Sequence, residues 1–310
     1  MTDRLPLMSW VTGGLIGLAA LGLSAVPALA GEGIGENFDL DLQNPATVVA
    51  HEISFMHDWI LMPVITAIML FVLLLLVYVM IKFNAKANPV ASHVHHNTTI
   101  EILWTVVPII ILLGIAIPSF KLLFHQYDYP KPDVTIKATG NQWYWSYEYA
   151  NEGVTFDSFM LDDAGRAEMK KTGLDAPRLL AVDNEVIVPV NKVVHVLATG
   201  RDVIHSWSMP AFGSKTDAVP GRITATWFKA ERKGVFYGQC SELCGKDHAF
   251  MPIVVRVVGD ETYKAWADAM KAGGKDNIKK AHDLVIKAAL ADKPMPVASN
   301  AAASPAATTN

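Results

Sequence analysis

Apolar side chains crowd the first third of this chain and then thin out into short runs broken by turns. Two stretches, 60–81 and 102–120, are nearly free of charge and long enough to cross a bilayer, which takes about 20 residues. They predict transmembrane helices over 60–81 and 100–120, joined by a polar connection over 82–99. An earlier apolar stretch starts after Arg4 and ends in Ala28-Leu29-Ala30, a small-x-small pattern followed by Gly31-Glu32. Residues 1–30 therefore read as a cleaved secretory signal. A retained membrane helix is the alternative, and Gly13, Gly14, Gly17, Gly22 and Pro27 would make it a poor one.

Beyond residue 121 the pattern changes. Segments 134–138, 142–149, 185–190, 192–199, 223–228, 235–238 and 253–258 are short, rich in β-branched and aromatic residues, and separated by Gly, Pro, Asn and Asp. They predict strands, and their spacing predicts an all-β sandwich or barrel over 125–260. In the 142–149 run, period two places Trp143, Trp145, Tyr147 and Tyr149 on one face and Tyr144, Ser146 and Glu148 on the other. Residues 261–290 read as a C-terminal helix. Residues 291–310, chiefly Ala, Pro, Ser and Thr, lack the side chains to build a core and read as a disordered tail.

Composition adds a compartment. With 51% hydrophobic and 18% charged residues and a positive mean hydropathy, the chain is too apolar for an ordinary soluble domain. A net charge of -4 and no run of Lys or Arg argue against a nucleic-acid partner. The 82–99 connection carries Lys82 and Lys86, whereas the segment 31–59 has Glu32, Glu36, Asp39, Asp41, Glu52 and Asp58 and neither Lys nor Arg. The positive-inside rule then sets the connection in the cytoplasm. The expected layout is a two-helix hairpin in membrane lipid with 31–59 and everything after about residue 121 exported, in an oxidising compartment.

The candidate chemistry lies in Cys240-Ser-Glu-Leu-Cys244-Gly-Lys-Asp-His248-Ala-Phe-Met251. Two thiols, an imidazole and a thioether on one loop form a ligand set suited to copper, since thioether is a poor ligand for zinc, calcium or magnesium. His205, in Asp202-Val-Ile-His205-Ser-Trp207, would add a second imidazole, and two cysteines rather than one point to two metals sharing thiolates. Two other readings stay open. The only two cysteines of an exported chain would ordinarily form a disulfide, and Cys240, Cys244, His205 and His248 make a legal tetrahedral zinc set. The first needs neither His248 nor Met251, and the second leaves Met251 unexplained.

This loop, the hairpin, and Gly140-Asn-Gln-Trp143-Tyr-Trp145-Ser-Tyr-Glu148-Tyr together resemble subunit II of the haem-copper cytochrome c oxidases, in its bacterial form. The likeness runs over about 45–265 and includes Asn97-Thr-Thr-Ile-Glu101-Ile-Leu-Trp104, Lys215-Thr-Asp217-Ala-Val-Pro-Gly-Arg222 and Tyr237-Gly-Gln-Cys240. It implies a cupredoxin-like Greek-key sandwich holding a dinuclear copper A centre. Cys240 and Cys244 would bridge both coppers, His205 and His248 would each bind one, and Met251 and the main-chain carbonyl of Glu242 would be weak ligands. The Glu242 side chain would reach a magnesium or manganese ion shared with subunit I. The partners implied are subunits I and III of the oxidase and cytochrome c. The role implied is electron entry to haem in subunit I, where oxygen is reduced to water and protons are pumped across a bacterial inner membrane. A copper A domain serving another reductase, such as nitrous oxide reductase, shares the loop; the hairpin and Glu101 favour the oxidase. A membrane-tethered zinc or disulfide sandwich without redox function is the competing class.

Within the same resemblance Trp143 is the electron entry point, and Glu148, Asp183 and Asp202 are docking acids for cytochrome c, although each is also an ordinary solvated carboxylate. Glu101 stands at the mouth of a proton-uptake path. On its residues alone it reads as a helix-end acid in a first turn that Thr98 or Thr99 could cap. His93, His95 and His96 read as solvated, and His51, His57, His125, His195 and His282 have no evident partners.

Overall fold

In the computed structural model, which describes residues 33–35, 40–90 and 92–291, both apolar stretches are helices that run well past their hydrophobic segments. Helix α1 (Val48–Phe55) continues through a wide turn (Met56–Leu61) into α2 (Met62–Lys82), giving 35 helical residues, and α3 (Thr98–Tyr127) has 30. At 1.5 Å per residue, 35 residues make a rod of roughly 50 Å, against a hydrocarbon layer of about 30 Å. Hydropathy marks only the part that lipid would surround. The rest is helical because it has protein to pack on. Ala50 is buried beside Gly213 of the sandwich, and Glu52 of α1 meets His125 of α3 at 2.7 Å. The expected spans therefore lie inside longer helices, and His125 belongs to α3 rather than to the sandwich. Leu74, Ile110 and Ile117 are exposed, the surface of a membrane protein with two spans. Asn97 caps α3, its side-chain oxygen accepting from the N–H groups of Thr99 and Ile100; Thr98 and Thr99 lie inside the first turn. The expected signal sequence and all of the expected tail except Ala291 fall outside the described residues.

The remainder is a sandwich. One sheet orders β3-β2-β1-β5-β8, from β1 (Val134–Asn141), β2 (Tyr144–Tyr149), β3 (Val154–Ser158), β5 (Val193–Gly200) and β8 (Thr224–Lys229). A second orders β4-β10-β9, from β4 (Val186–Pro189), β9 (Gly234–Gln239) and β10 (Pro252–Val258), and β6 (His205–Met209) pairs with β7 (Ser214–Ala218). Pairs β1/β5 and β4/β10 are parallel; the others are antiparallel. Alternation along β1 and β5 turns Val134, Ile136, Ala138, Val194, Val196 and Ala198 inward. They meet Trp145, Tyr147 and Tyr149 of β2 and the stacked Trp207 and Phe228. The fold is cupredoxin-like.

All seven expected strands are present. Strands β3, β6 and β7 and helix α4 (Asp163–Lys171) were not expected. Strand β6 reads His-Ser-Trp-Ser-Met and is buried along its whole length, so it shows neither a polar face nor a β-branched run. The C-terminal helix is two, α5 (Asp260–Ala272) and α6 (Lys275–Ala291), because Gly273 and Gly274 both take positive φ, 64° and 82°, which ends a right-handed helix. Trp266 of α5 and Val285 of α6 are buried on the sandwich, with Trp266 5.1 Å from the Tyr149 ring.

Candidate metal centre

The loop between β9 and β10 folds back on itself so that its sulfur and nitrogen atoms gather around the two cysteine sulfurs. Cys240 follows β9, and the turn Gly245 to His248 returns the chain toward β10. Sγ of Cys240 and Sγ of Cys244 are 3.8 Å apart, and both thiols are free. Nδ1 of His205, at the start of β6, lies 3.9 Å from the Cys240 sulfur. Nδ1 of His248 and Sδ of Met251 lie 3.4 and 3.6 Å from the Cys244 sulfur. The main-chain oxygen of Glu242 is 3.4 Å from the Cys240 sulfur, while its side chain is exposed. Two thiols, two imidazoles, a thioether and a carbonyl thus converge. Met251 is 1% exposed and its sulfur is aimed inward, which a four-ligand zinc set would leave unused. The donor chemistry, with its thioether, fits copper better than zinc.

The scaffold around these donors is tight. A side chain at Gly140 would stand 2.6 Å from the His205 ring, and one at Gly238 would strike the backbone of Ser208. These glycines let β1 and β9 close on β6. The N–H of Ser241 donates to the carbonyl of Ser206 at 3.1 Å, and the indole N–H of Trp145 donates to the carbonyl of Met251 at 3.2 Å. Both ends of the loop are thereby tied to the sandwich.

Charge is unevenly held. Burial pushes the Cys240 thiol up, but hydrogen bonds from His205, the Ser206 backbone and neighbouring groups outweigh this and bring it down to about 7. Burial and the adjacent Cys240 push Cys244 up to about 12. Burial likewise disfavours the His205 imidazolium, yet the Cys240 and Asp202 hydrogen bonds raise its pKa overall. Only one thiol gives up its proton readily until a cation enters, and two neighbouring thiolates are the state a cation would favour.

A family model described as the periplasmic domain of cytochrome c oxidase subunit II matches residues 134–258, and one described as its transmembrane domain matches 35–122. A Cereibacter sphaeroides protein named cytochrome c oxidase subunit 2 is 47% identical over 243 residues, covering 74% of this chain and 80% of its own. The chain belongs to the cytochrome c oxidase subunit II family. A Rickettsia bellii relative, a probable cytochrome c oxidase subunit 2, is 48% identical over 230 residues, 74% of this chain and 83% of that one. The crystal structure of the periplasmic domain of subunit II from Bradyrhizobium japonicum is 57% identical, covers 46% of this chain and 96% of its own, and gives a TM-score of 0.42.

As a subunit II, the chain carries further candidate residues away from the loop. Trp143 is not on the buried face of β2. It sits in the turn before that strand, half-buried, and its indole N–H donates to the carbonyl of Cys244 at 3.2 Å; Lys246 lies 5.6 Å over its ring. Strand β2 begins only at Tyr144, and Trp145, Tyr147 and Tyr149 fill the core. Glu148 lies exposed on the outer face, 3.7 Å from Lys137. Asp183 accepts from the N–H groups of Phe159 and Asn184, and burial nonetheless pushes its pKa up. Asp202 is not free either: one oxygen accepts from Nε2 of His205 at 2.8 Å and from its neighbour Val203, the other from the N–H of Gln142 at 2.7 Å. Glu101 is half-buried in the first turn of α3, about 40 Å of helix away from the sandwich end.

Gln142 and Gly140 carry no metal donor, and sequence reasoning did not single them out as parts of the site. The only available signal was their position inside the Gly140-to-Tyr149 motif. The histidines found partners that sequence could not show: His51 with Glu231 at 3.2 Å, His57 with Asp58 at 2.6 Å, and His195 with the Pro130 carbonyl at 2.7 Å. His93, His95 and His96 are exposed.

Proposed function

We propose that this chain is the electron-entry subunit of a cytochrome c oxidase, receiving electrons from cytochrome c at a copper A site and delivering them toward haem in subunit I. The observation that carries the reading is the convergence of His205, His248, Met251 and the Glu242 carbonyl on the paired sulfurs of Cys240 and Cys244. Bound there, two copper ions would supply reversible one-electron exchange with little rearrangement, because the β scaffold already fixes the donors. His205 and His248 each stand near a different sulfur, and Met251, a weak ligand, would adjust potential more than affinity.

Trp143 serves as the entry residue. Its half-buried ring lies against the loop and is hydrogen-bonded to the backbone of a thiolate donor. Glu148, Asp183 and Asp202 steer a basic cytochrome by charge complementarity. Glu101, at the opposite end of the hairpin, collects protons on the cytoplasmic side; the Lys82 and Lys86 connection supports that orientation, which leaves the sandwich in the periplasm of a bacterial inner membrane. The exposed Glu242 side chain faces subunit I, where it would hold magnesium or manganese, and subunit III completes the assembly. Oxygen reduction and proton pumping belong to the complex, since the loop offers no open position with a paired acid and base.

Purified full-length chain loaded with copper tests this reading. Two coppers per chain, a mixed-valence electron paramagnetic resonance signal and rapid bleaching by reduced cytochrome c are expected. One zinc per chain, or a Cys240–Cys244 disulfide that persists when copper and reductant are supplied, would overturn it.

A further inference from the structure

Asp202 and Gln142 form a bridge between the two parts of the proposed electron path. The carboxylate of Asp202 divides its oxygens: one takes the Nε2–H of His205, whose Nδ1 faces the Cys240 sulfur, and the other takes the backbone N–H of Gln142 at 2.7 Å. Gln142 in turn donates its side-chain amide to the Cys244 carbonyl at 2.8 Å, the same carbonyl that Trp143 reaches at 3.2 Å. Gly245, with φ 124°, leaves room for both: a side chain there would stand 2.9 Å from the Trp143 ring and 3.1 Å from the Gln142 amide. A closed circuit therefore runs from His205 through Asp202 and the Gln142–Trp143 turn to Cys244, across the donor cluster and back.

We infer that Asp202, beyond the charge it offers to cytochrome c, is a positioning residue of the metal centre, with Gln142 as its relay. This rests on the copper reading above. A surface acid that only attracts a cytochrome needs no fixed orientation, whereas this one accepts from three N–H groups and its imidazole partner is fully buried. Its geometry is that of the carboxylate that orients a metal-bound histidine and strengthens it as a donor. The backbone bond to Gln142 adds a second duty: the carboxylate holding His205 also sets how close the Trp143 turn sits to the metal loop.

Two substitutions in the full-length chain separate this from docking. Asp202→Asn can present an acceptor to His205 or to the Gln142 N–H but not to both, because its NH2 must face one of these donors. Asp202→Glu keeps the charge but moves the carboxylate out by a methylene, lifting it off both partners. Copper affinity is expected to fall roughly 10- to 100-fold in each. The reduction potential should rise in Asp202→Asn as the histidine becomes a weaker donor, and the copper hyperfine pattern should change in both. Gln142→Ala should leave the hyperfine pattern nearly parental but slow reduction by cytochrome c. Should Asp202→Asn fail to fold, Asp202→Glu decides alone, since a docking role survives in it and a positioning role does not. Parental spectra and potential in both Asp202 variants, with cytochrome affinity lost in Asp202→Asn only, would overturn the inference. A parent chain lacking the two-copper spectrum would instead overturn the reading beneath it.

Discussion

The indole N–H of Trp143 donates to the main-chain carbonyl of Cys244, so the half-buried ring and a thiol of the donor cluster are separated by one hydrogen bond and one residue's backbone. Trp143→Phe keeps a ring and removes that bond. The Cys244 carbonyl still accepts from Gln142, so it is not orphaned and the fold should lose about 1 kcal/mol or less. Stopped-flow reduction by cytochrome c should slow by at least an order of magnitude, while the cytochrome dissociation constant stays near the parent's. Unchanged reduction kinetics would remove Trp143 from the path.

Met251 and Cys240 should behave differently when replaced. Cys240→Ser removes one of the two sulfurs that the copper reading takes as shared and should abolish the mixed-valence spectrum. Met251→Leu is close in volume, so packing at this buried position costs under about 1.5 kcal/mol, and the chain should retain both coppers at a shifted potential. Metal analysis and redox titration distinguish the two; copper loss in Met251→Leu would make the thioether a holding ligand rather than a tuning one.

Gly140 offers a test of the scaffold alone. A methyl group there would press on the His205 imidazole at 2.6 Å, with β1 and β6 both fixed in the sandwich. Gly140→Ala should cost about 1–3 kcal/mol by overpacking and weaken copper binding, read by thermal unfolding of the metal-free chain and by copper titration. Parental values in both would mean that β1 yields easily.

Glu101→Gln separates a proton role from a helix-end role. Asn97 already caps α3, so losing the charge should cost at most about 1 kcal/mol of helix-end stabilisation. Steady-state oxygen consumption by the assembled oxidase should nevertheless drop several-fold, with the copper spectrum and cytochrome binding unchanged. Full turnover would leave Glu101 as a helix-end acid.

Arg256 on β10 is 5% exposed and is held by Glu185 through two hydrogen bonds, one of them 2.7 Å from Nη2. The Glu185 carboxylate raises the Arg256 pKa despite burial, which by itself lowers it. Glu185→Gln leaves a buried guanidinium without its counter-charge, and about 3–5 kcal/mol of stability should be lost. Urea denaturation of the metal-free chain measures this; a loss below about 1 kcal/mol would show that water reaches Arg256.

What the sequence determined by itself were the properties that one stretch of chain carries alone. The apolar runs 60–81 and 102–120 name membrane helices whatever they pack against, because lipid solvates each residue separately. Seven strands were legible as β-branched and aromatic runs, and five donor side chains were legible because four of them sit on twelve consecutive residues. Tertiary structure decided whatever depends on a partner distant in the chain. The helices outlast their hydrophobic segments because Glu52 finds His125 and Ala50 finds Gly213. Strand β6, His-Ser-Trp-Ser-Met, has no strand-like pattern and is a strand because neighbours bury it on every side. Trp143 leaves the face that period two assigns to it because the chain turns at Gln142 to reach Cys244. Asp202 reads as one more surface acid until folding brings Gln142, 60 residues away in the chain, to its second oxygen. Hydrogen bonds of this kind leave no periodicity behind, since each depends on a single pair of positions rather than on a repeat.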